Sequence, residues 1–142
     1  MKDAILAIDV GTQSTRALAF TADGGLLDKA RAPHEPPYVS PELGWAEQDP
    51  AYFWDRVGTA CRRLWDQGVV APDRLAAVAM TFQRSTVVSL DAARRPLRPA
   101  IVWLDQRRAS RPPRLSAGWR AALTMAGASG VVDRFQAEAE AN

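Results

Sequence analysis

The chain of 142 residues has little cysteine, histidine or lysine: one Cys, one His and two Lys. A single cysteine, Cys61, cannot form an internal disulfide, so the fold does not depend on an oxidising compartment and we expect a cytoplasmic protein. Cys61 lies in a helical apolar pattern, which favours a buried, inert thiol over a nucleophile. The apolar run at residues 4–8 is too short for a signal-peptide core or a membrane span, so we expect neither secretion nor a membrane partner.

The charge balance excludes several classes of protein. The 18 basic residues are offset by 16 acidic ones, which leaves a formal net charge of +2. Most of the bases are arginines spread among the acids along the chain, so we expect a mixed charged surface and no nucleic-acid partner. With 47% hydrophobic and 24% charged residues the composition is that of a globular domain, which excludes disorder, collagen and coiled coil.

The first part of the chain predicts three antiparallel strands. Residues 4–8 form a short apolar run of the kind found in a central strand. Residues 14–21 alternate apolar with small or polar side chains, and the turn signal Asp23–Gly25 separates them from a third strand at residues 26–31. These strands form the opening meander of a predicted α/β fold.

A helix and a parallel strand follow. Asp49 is expected to cap a helix whose first residue is Pro50, because proline lacks an N–H that this position does not need. The apolar positions keep helical spacing until Gly68 ends the helix. Residues 75–80 are predicted to form a second buried strand, and a strand reached through a helix usually runs parallel to the earlier one.

The rest of the chain has weaker signals. Residues 86–90 and 100–104 predict a further hairpin, because a polar turn separates two apolar segments. After the Arg-Pro-Pro break at 111–113, residues 119–126 and 131–141 predict alanine-rich helices.

The turn between the first two strands has the residue types of a phosphate site. Gly11 permits a sharp turn whose N–H groups can face an anion, the Thr12 and Ser14 hydroxyls add donors, and Arg16 adds a positive charge. Asp9 at the strand end can hold a magnesium ion through its waters. The alternative is a tight turn in which the hydroxyls only satisfy the backbone. The candidate phosphate residues are Asp9, Gly11, Thr12, Gln13, Ser14 and Arg16.

A second group of polar residues follows the later strands. Gln83, Arg84 and Ser85 come directly after the predicted buried strand, and Trp103 and Asp105 come after the predicted hairpin. An amide, a guanidinium and a carboxylate beside a flat ring suit a polyhydroxylated ligand. The alternative is that Trp103 belongs to the core and that Arg84 pairs with Asp105 for structural reasons.

With these motifs in place the sequence resembles the N-terminal part of the FGGY family of carbohydrate kinases, which includes glycerol, gluconate, xylulose and ribulose kinases. The resemblance implies an α/β, ribonuclease-H-like and actin-like ATPase fold, here incomplete. It also implies phosphorylation of a sugar or polyol hydroxyl with ATP and Mg²⁺ held between two lobes. The matching stretches are residues 5–17 (ILAIDVGTQSTRA), 44–50 (GWAEQDP), 83–91 (QRSTVVSLD) and 95–108 (RPLRPAIVWLDQRR).

The resemblance also implies roles for the two groups of residues. The residues carried over to the first phosphate motif are Asp9, Thr12, Gln13, Ser14 and Arg16, and those carried over to the acceptor pocket are Gln83, Arg84, Trp103 and Asp105. Glycerol kinases have an acidic residue where this chain has Ser85, so we expect glycerol to be a poor acceptor. The Met-His pair typical of xylulose kinases is missing at this place, so xylulose is not favoured either.

The resemblance further implies that this chain is a portion of a kinase. Family members are several times longer, and their catalytic base and adenosine-binding lobe come later than Asn142. We expect residues 1–108 to form the strand-rich part of an N-terminal lobe and 109–142 to begin the remainder, with the missing second half as partner and no activity of the chain alone. A non-catalytic sugar-binding or split-enzyme module is one alternative; a two-metal nuclease, which needs several converging acidic residues, is another.

Overall fold

The computed structural model describes residues 2–107 and 116–128 together with Gly130, Asp133 and Arg134. The chain divides into two compact units, Met1–Asp105 and Gln106–Asn142. The second unit contains helix α2 (Ala117–Met125). The first unit contains, in chain order, β1 (Ala4–Val10), β2 (Ser14–Thr21), β3 (Leu26–Pro33), β4 (Glu47–Gln48), α1 (Pro50–Asp66), β5 (Leu75–Phe82) and β6 (Ala100–Ile101).

The main sheet has the strand order β3-β2-β1-β5. β1 and β2 are antiparallel, as are β2 and β3, and β5 runs parallel to β1. The predicted opening meander, the central position of β1 and the parallel return of β5 are therefore confirmed. The register pairs Asp9 with Arg16 across the first two strands, so both side chains lie on one face of the sheet.

Helix α1 covers the part of the sheet formed by β2 and β3. It begins as predicted: the Asp49 carboxylate accepts a hydrogen bond of 2.9 Å from the Ala51 amide, and Pro50 is the first helical residue. It ends at Asp66, and Gly68 beyond it has the positive φ of +74° that glycine adopts without strain. Its buried face consists of Phe53, Val57, Ala60 and Leu64.

The burial of β5 differs from the sequence prediction. Residues 76–82 are exposed, with 58% of Val78 and 53% of Met80 open to solvent. The cause is that β5 is the edge strand and α1 packs on β2 and β3, although Phe53 reaches Phe82 at the strand end with ring centroids 5.2 Å apart. The apolar sequence of a strand predicts that it is buried, but the strand is buried only if another element covers it.

The predicted hairpin at residues 86–104 is also wrong in part. Val87 forms the expected antiparallel bridge to Ile101 of β6, with backbone hydrogen bonds of 2.9 Å in both directions, but residues 86–90 do not form a strand. The ladder of β6 is formed with the short strand β4 instead, so a distant partner adds to the local one. The helix predicted at 119–126 is confirmed as α2, while the break at 111–113 and most of the helix predicted at 131–141 lie outside the described residues.

Cys61 is half-buried on α1 beside the core, and burial raises the pKa of its thiol, so the thiol stays protonated and a poor nucleophile. Within the part of the chain that the structure describes, no helix has the length and apolar character needed to cross a membrane.

Candidate functional site

The two groups of polar residues singled out in the sequence meet at one edge of the sheet. β1 and β5 are parallel neighbours, so their carboxyl ends lie side by side. The backbone N–H of Gln83 donates a 2.9 Å hydrogen bond to the Val10 carbonyl, which extends the pairing of β1 with β5 by one residue. Crevices at the carboxyl ends of parallel strands are the usual ligand sites of open α/β sheets.

The first group forms the β1–β2 turn (residues 9–16). The Arg16 guanidinium donates to the Asp9 carboxylate at 2.7 Å, and both side chains remain partly exposed. The Gly11 amide donates to the Ser14 carbonyl at 3.1 Å, and a Cβ on Gly11 would lie only 3.3 Å from that carbonyl oxygen. Gly11 therefore contributes a tight turn, and its own N–H is used within that turn.

Solvent reaches some residues of the β1–β2 turn and not others. Gln13 and Arg16 are exposed and Thr12 is half-buried, whereas Ser14 is buried with 2% of its surface accessible. Thr12, Gln13 and Arg16 are therefore the members of the predicted phosphate group whose side chains face solvent, together with the partly exposed Asp9.

His34, just after β3, holds this turn and was not singled out by the sequence analysis. Its Nδ1 lies 3.0 Å from the Thr12 carbonyl and its Nε2 lies 2.9 Å from the Thr15 hydroxyl. A carbonyl only accepts, so Nδ1 carries the proton and donates to Thr12, and Nε2 of the neutral ring accepts from Thr15. The one signal in the sequence was that His34 is the only histidine.

The imidazole of His34 is held neutral. Burial lowers its pKa, and the positive charges of Arg56 and Arg31 act in the same direction against the opposing hydrogen bond to the Thr12 carbonyl. Only 3% of the residue is exposed. A proton on Nε2 would also remove the acceptor that Thr15 uses.

The lowered pKa of His34 predicts that the fold loses stability in a defined range of acidic pH. An unfolded histidine binds its proton near pH 6.5 and the folded one only at lower pH, so the free energy of unfolding should fall as pH drops below about 6.5. The loss cannot exceed about 1.4 kcal/mol per pH unit for one proton. Urea titrations between about pH 7.5 and 5.5 measure it, with Val78→Lys on the exposed strand β5 in every protein compared so that association does not interfere. The variant His34→Gln should be nearly flat over this range, and an equal slope in both proteins would contradict the prediction.

The second group lines a pocket of about 520 Å³, the Trp103 pocket, formed by Gln83, Arg84, Ser85 and Trp103. Half of the Trp103 surface (52%) is exposed, so Trp103 is not a core residue. The Gln83 Oε1 atom is buried and makes no hydrogen bond to any described residue. A buried amide oxygen without a donor is unfavourable unless a ligand or water supplies one.

The charged residues beside the Trp103 pocket have different surroundings. The Asp105 carboxylate accepts a 2.8 Å hydrogen bond from the Ala46 amide, next to β4, and Asp105 is not among the lining residues. Arg84 is exposed, and among the described residues no carboxylate lies within ion-pair distance of it. A structural Arg84–Asp105 pair is therefore not formed, and the Arg84 donors are open to a ligand.

A hydrogen bond between two side chains joins the β1–β2 turn to the Trp103 pocket, in addition to the backbone bond from Gln83 to Val10. The indole Nε1–H of Trp103 donates to the Thr12 hydroxyl at 2.9 Å, across 91 positions of sequence. The two predicted sites are thus one continuous surface rather than separate strand ends.

Carboxylates are sparse at this edge. In the described ranges no three His, Cys, Asp or Glu side chains come together as a metal cluster would require. Asp9 at the end of β1 suits a magnesium ion that takes one carboxylate and fills its remaining positions with water and substrate phosphates. That donor set fits a kinase better than the several converging acids of a two-metal nuclease.

Comparisons with known proteins agree with this geometry. The sequence is 41% identical over 108 residues to the glycerol kinase of Methylorubrum extorquens, covering 75% of this chain and 21% of that protein. A xylulose kinase structure from Rhodospirillum rubrum superposes with a TM-score of 0.65 at 27% identity, covering 87% of this chain and 23% of the other.

Plasmodium falciparum glycerol kinase, solved with ADP, superposes with a TM-score of 0.54 at 32% identity, over 73% of this chain and 21% of the other. The chain thus spans about a fifth of the length of the relatives it matches. The model for the N-terminal domain of the FGGY family of carbohydrate kinases matches residues 4–124. With the sheet topology, this match shows that the chain belongs to the FGGY family and represents part of its N-terminal domain.

Proposed function

We propose that this chain is the acceptor-binding and phosphate-binding part of an ATP-dependent kinase that phosphorylates a hydroxyl of a sugar or polyol. The observation that carries the proposal is the Trp103 pocket. Among the described residues, no donor reaches the buried Gln83 Oε1 and no carboxylate lies within ion-pair distance of the Arg84 guanidinium. Vicinal hydroxyls supply both needs, since each hydroxyl donates one hydrogen bond and accepts two.

On the acceptor side, each lining residue has a distinct task. Gln83 Oε1 accepts from one hydroxyl of the substrate, and Arg84 donates to another. The exposed half of the Trp103 ring offers an apolar plate for the C–H face of the substrate. Asp105, fixed by the Ala46 amide, supports the segment that carries Trp103.

On the phosphate side, Thr12 and Gln13 supply donors and Arg16 supplies positive charge. Asp9 would hold Mg²⁺ through water, and the ion would neutralise charge on the phosphates. The Plasmodium falciparum relative was solved with ADP, which supports an adenine nucleotide as the source of the phosphate. Ser14 contributes through the turn, because its side chain is buried.

The chain by itself is expected to be inactive. Phosphoryl transfer needs nucleotide, metal and acceptor positioned together, and the catalytic base and adenosine-binding lobe expected for the family are not in this sequence. The rest of such a kinase is therefore the proposed partner, and the cytoplasm the proposed location. The family match favours this function over a non-catalytic sugar-binding module.

A chimaeric kinase tests the proposal. In it, residues 2–107 of this chain replace the matching part of the Gluconobacter oxydans glycerol kinase, which is 42% identical over 109 residues. ATP turnover is measured with glycerol, pentoses, hexoses and sugar alcohols. Arg84→Ala should raise the acceptor KM and leave nucleotide binding intact, while Arg98→Ala, another exposed arginine, is the control. An unchanged acceptor KM in Arg84→Ala would contradict the assignment.

Ser85 predicts the choice of acceptor. Ser85 lines the Trp103 pocket and has a backbone φ of +63°. Its hydroxyl lacks the charge and the reach of a carboxylate. A hydrogen bond to a charged group contributes roughly 1.5–3 kcal/mol, or about a tenfold to hundredfold difference in specificity. We therefore expect the chimaera to prefer a larger polyhydroxylated acceptor over glycerol, and Ser85→Glu to shift kcat/KM toward glycerol.

The names of the relatives argue the other way, because proteins 38–42% identical to this chain are glycerol kinases. The variant Ser85→Gln separates charge from size, since it should not produce the shift. If the unaltered chimaera used glycerol better than every sugar and sugar alcohol in the panel, the Ser85 argument would be wrong while kinase function would stand.

A further inference from the structure

We propose that Thr12 is a positioning residue for the acceptor: its hydroxyl orients the Trp103 ring, so an anion at the β1–β2 turn and a ligand in the Trp103 pocket influence each other. This inference rests on the proposed function and adds to it a coupling between the two halves of the site. Its basis is the 2.9 Å hydrogen bond from Trp103 Nε1 to Thr12 Oγ1.

Thr12 is itself firmly held. Its carbonyl accepts from the buried His34 ring at 3.0 Å, and the next residue, Gln13, accepts from the His34 amide at 2.9 Å. The Thr12 hydroxyl therefore projects from a fixed backbone. Half of the Trp103 surface is open to solvent, so the bond to this fixed hydroxyl restrains a ring that packing covers only in part.

The chemistry of the hydroxyl allows it to serve both sides at once. Indole N–H only donates, so Trp103 occupies a lone pair of Thr12 Oγ1 and leaves the Thr12 proton free. That proton can donate to a phosphate oxygen. Hydrogen bonds in a chain polarise one another, so a phosphate on one side strengthens the bond to the indole on the other.

The coupling is reciprocal by thermodynamic necessity. If a bound anion strengthens the hydrogen bond from Trp103 to Thr12, then loss of that bond on removal of the indole N–H must lower the affinity for the anion by the same factor. A single hydrogen bond corresponds to an effect of about twofold to tenfold. A residue that only stabilised the fold would not produce this matched pair of changes.

The test uses the full 142-residue chain labelled with ¹⁵N and with 5-fluorotryptophan. Every protein compared, including the one called unaltered here, carries Val78→Lys on the exposed strand β5, because a charge there opposes association of sheet edges. The ¹⁹F signal of Trp103 is the one of five that disappears in Trp103→Phe. Inorganic tripolyphosphate is titrated at constant ionic strength, and the amide signals of the β1–β2 turn are followed beside the ¹⁹F signal. In the unaltered chain we expect the turn amide signals and the ¹⁹F signal to shift during the titration and to give the same Kd.

The variants separate coupling from folding. In Thr12→Val the ¹⁹F signal of Trp103 should already be shifted before tripolyphosphate is added, and it should not change during the titration. The amides of the β1–β2 turn should still respond, with a Kd about twofold to tenfold higher. Thr12→Ser should restore the response, and Thr59→Val on α1 should resemble the unaltered chain. Trp103→Phe should also weaken tripolyphosphate binding, but by less than Thr12→Val, because it keeps the Thr12 hydroxyl as a donor to the phosphate.

Two results would overturn the inference while leaving the proposed function in place. In the first, the turn amides respond to tripolyphosphate and Trp103 stays unmoved. In the second, Trp103 follows the titration equally in Thr12→Val. Turn amides of the unaltered chain that do not respond would instead reject the phosphate site of the proposed function, and the coupling with it.

Discussion

Asp9→Asn should lower kcat of the chimaeric kinase by about a hundredfold to a thousandfold and change the acceptor KM less than about threefold. Asparagine has nearly the same shape, so the end of β1 should keep its backbone pairing with β2 and β5. What disappears is the negative charge, which is needed when phosphate moves and not when the acceptor binds. Steady-state kinetics with saturating ATP measure both constants.

The control for this variant is Asp66→Asn, which removes an exposed carboxylate at the end of α1. It should leave both constants unchanged. Because Arg16 is ion-paired with Asp9, Arg16 loses its partner in the variant. A double-mutant cycle with Arg16→Gln separates the loss of the ion pair from the loss of the Asp9 carboxylate. An Asp9→Asn enzyme with the original kcat would remove Asp9 from the phosphate site.

The second large effect concerns the exposed strand β5. Its sequence LAAVAMTF has no proline and no charge, and its outer edge is the edge of the sheet. Natural edge strands avoid association by carrying charges, prolines or bulges. We therefore expect the 142-residue chain to form oligomers or aggregates and to melt with poor cooperativity.

Val78→Lys should return the chain toward a monomer, because a charge in the middle of an edge strand opposes pairing with another edge. Leu43→Lys is the control, since Leu43 is fully exposed in the loop before β4 and does not belong to β5. Chromatography with light scattering over a dilution series measures the mass. A monodisperse monomer with a sharp melt in the unaltered chain would contradict the prediction.

Local signals made β1, β2, β3 and α1 predictable. Alternation and turn residues define the strands, and Asp49 with Pro50 marks the helix start through contacts within three positions. The parallel direction of β5 followed from the helix that connects it to the earlier strands. Its exposure did not, because burial of Val78 and Met80 is decided by what lies over them and not by their own apolar character.

The site was predictable by residue type and only partly by geometry. Four of the five acceptor candidates line one pocket. The hydrogen bond from Trp103 to Thr12 could not be predicted, because it joins residues 91 positions apart and no local pattern indicates it. His34 escaped notice because a lone histidine has no periodicity to reveal its two hydrogen bonds.

The parallel pairing of β1 with β5 also orders folding in time. β1, β2 and β3 join neighbours in sequence, so their pairing costs little loop closure and can form as soon as residue 33 is available. β5 can join only after α1 has been made, and such non-local contacts form slowly. On a ribosome, the β1–β2 turn is thus complete well before the strand that places Gln83 beside it, and the two halves of the site mature one after the other.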